Sequence, residues 1–130
     1  MKTNNSLYYF VPILLLCSIG TFSCNHKTQE LPTPTVGFNR EIIPILQASC
    51  AINSNCHSGV HNSGSNINFD SGTAYNNIIS RQLVITSSPA ASLLFVEVST
   101  GIMPKAPYTP LSGTDINILL NWIKQGAKNN

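Results

Sequence analysis

Charge is scarce in this chain. Seven lysines and arginines stand against five aspartates and glutamates in 130 residues, a formal net charge of +2. A balance this near neutrality, with no basic stripe interleaved with aromatics, excludes nucleic acid as a partner. Carboxylates are few where an enzyme would need them: from Phe38 onward only Glu41, Asp70, Glu97 and Asp115 occur. No carboxylate pair, Ser-His-Asp order or phosphate-binding glycine loop accompanies them, so no enzymatic activity is expected. Internal repeats are absent. The apolar run Leu7–Phe22 falls short of the roughly 20 residues that cross a bilayer. Methionine is nearly missing too, with Met1 and Met103 the only two.

What the front of the chain does have is one positive charge, Lys2, then the short apolar run, then small residues. That order describes a secretory signal peptide. Cleavage after "TFS" and before Cys24 suits a bacterial lipoprotein, although Thr21 stands where such signals usually carry Leu. Cys17 fits less well, because Leu16 precedes it. The plainer alternative is ordinary secretion with Cys24 as a spare thiol. The expected division is therefore residues 1–23 as lipoprotein signal peptide, 24–37 as a Pro/Thr tether lipidated at Cys24, and 38–130 as the working domain. Pro32 and Pro34 keep the tether extended, so its roughly 14 residues reach about 45 Å. His26 within it reads as solvated. The chain is expected on the periplasmic side of the cell envelope, held at the inner or outer membrane by its lipid.

The domain reads as all-α with long connections. "FNREIIPILQASC" predicts a short helix starting at residues 40–43, capped by Asn39 and running to about Ser49, where it delivers Cys50. The Ser-, Asn- and Gly-rich stretch 51–71 reads as loop. "TAYNNIISR" predicts a second helix with Ala74, Ile78 and Ile79 on its apolar face. "LVIT" is a brief extended candidate. Ser88 and Pro89 start a third helix to about Val98, burying Leu93, Leu94, Val96 and Val98. Gly101 ends it. Ser112 caps a fourth, with Ile116, Leu119, Leu120 and Ile123 as core face, Trp122 as core anchor and Gly126 as the stop.

A domain this small often needs a disulfide, metal or cofactor to complete its core. Once the signal is gone and Cys24 is lipidated, Cys50 and Cys56 are the remaining thiols, in a compartment where free thiols do not persist. His57 follows Cys56 directly in "SCAINSNCHSG". Three chemistries compete. Two thiols and an adjoining imidazole are what covalent haem attachment requires, usually as C-x-x-C-H. Here "AINSN" widens the gap, an extension costing at most about 1 kcal/mol in loop entropy. A Cys50–Cys56 disulfide in a stapled structural or binding domain is the second reading. The third is a metal cage adding His61 to His57 and the cysteines, which Gly59 and "NSGSN" disfavour because they interrupt a shared helical face.

Met103 bears on the choice. It lies in the Pro-rich loop "STGIMPKAPYTPLS", where a thioether can serve as second axial ligand to a His-bound haem iron. As a plain core methionine it would only fill a gap. From Phe38 onward the order "REIIPIL", "CHSG", "INFDSGTAYNNI", "SSPAASLLFVEVSTGIMP", "LSGTDINILLNWIKQGAKNN" resembles the small c-type cytochrome domains of bacterial secreted and lipid-anchored proteins, including the planctomycete-type group. The resemblance covers nearly the whole domain. It implies a bundle of about four short helices around one covalent haem c, with Cys50 and Cys56 on its vinyl groups, His57 and Met103 on iron, and electron transfer to a redox protein as the function. The chain departs from that pattern in its cysteine spacing and in "MPK", where two prolines usually follow the methionine.

Overall fold

The computed structural model describes residues 33–59 and 66–130. The signal segment, Cys17, Cys24, His26 and His61 lie outside the described residues. Within them every regular element is helical and no strand occurs. A π-helical turn, Phe38–Ile42, runs into α1, Ile43–Ser49; α2 is Ala74–Ser80; a 3-10 turn, Pro89–Ala91, precedes α3, Leu93–Ser99; α4 is Gly113–Lys124. No helix among the described residues is long and apolar enough to cross a membrane.

The first helix begins earlier than its sequence predicts, and Asn39 is not its cap. Chain enters at Gly37, whose side has no capping group, and the free N–H groups of the first turn are met from elsewhere. Gly37 N donates to Glu41 Oε2 at 2.7 Å, Phe38 N to Asn130 Oδ1 at 3.0 Å, and Asn39 N to the Asn130 carbonyl at 3.0 Å. A residue far along the chain thus satisfies donors that a helix start cannot satisfy by itself. The widened π turn falls just ahead of Pro44, which lacks an N–H and crowds the Arg40 carbonyl. Residues that the sequence assigns to the tether are bound to the same end of the domain. Val36 N donates to Gln125 Oε1 at 2.8 Å, Gln125 Nε2 to the Pro34 carbonyl at 3.1 Å, and Arg40 Nη2 to the Thr35 carbonyl at 3.0 Å.

α4 is the backbone of the core. Ser112 Oγ accepts from Asp115 N at 3.1 Å, as the expected N-cap. At the far end Gly126, at φ +98°, lets Ala127 N reach the Trp122 carbonyl and Gly126 N the Ile123 carbonyl, a Schellman stop. Leu119, Trp122 and Ile123 are buried, whereas Ile116 and Leu120 are only half-buried. Trp122 packs at 5.3 Å from Phe38, and Tyr75 meets Phe38 edge-on at 5.2 Å. Full burial of each such side chain stabilises the fold by about 1.5–3 kcal/mol.

Two other expectations change. The stretch from Pro89 is not one helix: Ser92, at φ −62° and ψ 128°, separates the 3-10 turn from α3. Its fully buried side chain explains the break, because Ser92 Oγ accepts from Ile85 N at 2.9 Å and Leu94 N donates to the Leu83 carbonyl at 3.0 Å. "LVIT" is therefore no strand; it is tied to the start of α3. With α3 set in this register, Leu94 and Val98 face inward while Leu93 is 49% exposed, and on α2 Ile79 is 43% exposed.

Candidate functional site

α1 ends at Cys50, whose N–H closes on the Leu46 carbonyl at 2.8 Å, and the chain then turns through the inter-cysteine loop. Cys56 N donates to the Asn53 carbonyl and His57 N to the Cys50 carbonyl, both at 3.0 Å. The loop is thereby folded back on itself, which brings Cys56 and His57 beside the helix end. Both cysteines are free thiols. Cys50 is buried at 7% exposure, and that burial, with a smaller push from Cys56, drives its pKa up to about 12. Cys56 and His57 are half-buried.

The imidazole of His57 is held by the segment 66–70. Its Nδ1 lies 3.2 Å from the Ile67 carbonyl. A carbonyl only accepts, so Nδ1 donates in this contact, which leaves Nε2 as the ring nitrogen that a metal would use. Phe69 stands 5.0 Å from the ring, centroid to centroid, and its N–H donates to the His57 carbonyl at 2.7 Å. Asp70 fastens the turn that follows, accepting from Gly59 N at 2.9 Å and Ser58 Oγ at 2.8 Å. These bonds, the Gly59 N–H foremost, hold its carboxyl below the usual range. Asn68 Nδ2 adds a bond to the Gly59 carbonyl at 3.0 Å. Gly59 sits at φ +79°, where a side chain would be strained.

Met103 follows α3, with its N–H on the Glu97 carbonyl at 2.9 Å. It is half-buried. Cys50, Cys56, His57 and Met103, which the sequence nominates from two distant segments, all line one cleft of about 580 Å³. Ile67, Phe69, Leu83, Leu94 and Val98 supply much of its wall, Glu97 and Lys105 its acidic and basic side chains, and Tyr108 closes part of it. The size falls in the range of roughly 300–1,000 Å³ usual for cofactor and small-molecule pockets.

These supports do not stand out in the sequence, where Ile67, Phe69 and Asp70 fall in the Ser-, Asn- and Gly-rich stretch 51–71 that reads as loop. A signal was present, since Ile67-Asn68-Phe69-Asp70 alternates apolar and polar as extended chain does. Among the described residues no three His, Cys, Asp or Glu side chains gather as a metal cage requires. No protein family, curated protein or solved structure matches the chain.

Proposed function

We infer that the domain is a monohaem c-type cytochrome module that passes electrons outside the cytoplasm, tethered by lipid at Cys24. One observation carries the reading: two thiols, an imidazole and the mature chain's one thioether line the same largely apolar cleft. The donor set fits an iron porphyrin. Cys50 and Cys56 would hold its vinyl carbons, His57 Nε2 and Met103 Sδ its iron, and the aliphatic wall its ring, in a helical bundle of the cytochrome c kind. Such a group would supply a one-electron couple, and His57 and Met103 together would hold its iron for electron transfer rather than for binding a substrate. The protein's own part is orientation and exclusion. The Ile67 carbonyl fixes the imidazole tautomer, Phe69 limits ring rotation, and Leu83, Leu94 and Val98 keep water away from the cleft floor. Glu97 and Lys105 set the local charge.

The test is direct. Full-length protein matured in a host with haem-attachment machinery is red, with a low-spin c-haem spectrum and haem retained after denaturation. His57→Ala fails to retain a stable chromophore. Met103→Ala lowers the reduction potential or admits external ligands. A colourless product whose intact mass fits a bare Cys50–Cys56 disulfide overturns the reading in favour of a stapled structural domain. Lipid labelling that survives Cys24→Ala removes the anchor.

A further inference from the structure

The five residues between the thiols are three more than the usual attachment spacing provides. The structure gives one of them a contact across the site. Asn53 Nδ2 donates to the Tyr108 hydroxyl oxygen at 2.8 Å, joining positions 55 residues apart. On one side is the loop of Cys50, Cys56 and His57; on the other is the loop of Met103. Both ends of the bond are braced. Asn53 Oδ1 accepts from Asn55 N at 2.9 Å and the Asn53 carbonyl accepts from Cys56 N at 3.0 Å. Tyr108 N donates to the Lys105 carbonyl at 3.1 Å, which closes a turn beginning two residues after Met103. Tyr108 also lines the cleft, so one end of this exposed bond lies at the cleft.

We propose that Asn53 and Tyr108 are positioning residues that latch the cysteine loop to the methionine loop, keep the Met103 thioether in the cleft and so restrict access of outside ligands to the iron. The widened cysteine spacing makes this possible, because the residue that reaches Tyr108 belongs to the surplus. The proposal rests on the haem reading, and the experiment separates the two.

Full-length parent protein, haem-loaded, is compared with Asn53→Ala, Tyr108→Phe and the double variant. The probes are imidazole on ferric protein and carbon monoxide on ferrous protein. Each single variant raises ligand binding about three- to tenfold, the scale of one modest hydrogen bond. The double variant adds nothing more, because both substitutions remove the same bond. Asn53→Asp reverses the bond, its carboxylate accepting from the phenol O–H, and so keeps parent behaviour with Tyr108 but not with Tyr108→Phe. Unchanged ligand binding, or single effects that multiply in the double variant, overturns the latch. A second measurement needs no haem: amide hydrogen exchange across residues 103–108, in chain made without haem attachment, speeds up in both single variants. Colourless parent protein defeats the cytochrome reading and leaves exchange to decide the latch. Red protein with indifferent variants defeats the latch alone.

Discussion

Cys50 and Cys56 share a loop but not an environment. In chain without haem, an alkylating reagent modifies half-buried Cys56 first, roughly tenfold or more ahead of Cys50, because only an accessible thiolate reacts. Peptide mass mapping over time reads this directly; equal rates would show that Cys50 is not shielded. Alkaline stability follows from the same burial. Cys50 moves from an ordinary pKa of 9.0 to about 12 in the fold, so the unfolded chain releases this proton first as pH rises. Above pH 9 the native state binds more protons than the unfolded state, and this group's contribution falls about tenfold in the folding constant per pH unit until about pH 12. Urea unfolding of parent and Cys50→Ala at about pH 8 and about pH 10 isolates the effect: parent loses stability relative to the variant at the higher pH. At this scale the sequence shows residue types directly: "CH" and the one methionine after Met1 are visible in one dimension. The carbonyl of Ile67 is not, because any residue carries one.

At the scale of elements, legibility tracked locality. α4 could be read almost completely because its cap, acidic first turn and glycine stop all lie within or beside it. The first helix could not, since the acceptors for its Phe38 and Asn39 N–H groups belong to Asn130. The break before α3 was hidden as well: Pro89, with Ser88 before it, is a sound local start, and only the Ile85 N–H across the loop reveals why Ser92 stays extended. Ser92→Ala leaves that part-buried donor without its acceptor and destabilises the domain by about 1–3 kcal/mol. Asn130→Ala removes one helix-start acceptor and costs about 1 kcal/mol. Denaturant midpoints measure both. A Ser92→Ala midpoint within error of the parent would mean that Ile85 N finds another partner.

Across the whole molecule, the core and the cleft share a wall. Phe69, Leu83, Leu94 and Val98 belong to both, whereas Trp122 belongs to the core and does not line the cleft. Leu94→Ala therefore lowers stability by about 2–5 kcal/mol and reduces the extra stability that a filled cleft confers, while Trp122→Ala costs about 3–5 kcal/mol without a selective effect on the filled state. Unfolding with and without haem separates them; equal responses would show that the shared wall carries no coupling. The all-α class was readable from periodicity, but this sharing depends on how helices far apart in sequence come to face one another. The contact between the two ends of the domain has an effect in time as well. Ribosomes deliver Phe38 first and Asn130 some 92 positions later, so the opening helix emerges before the group that finishes it exists.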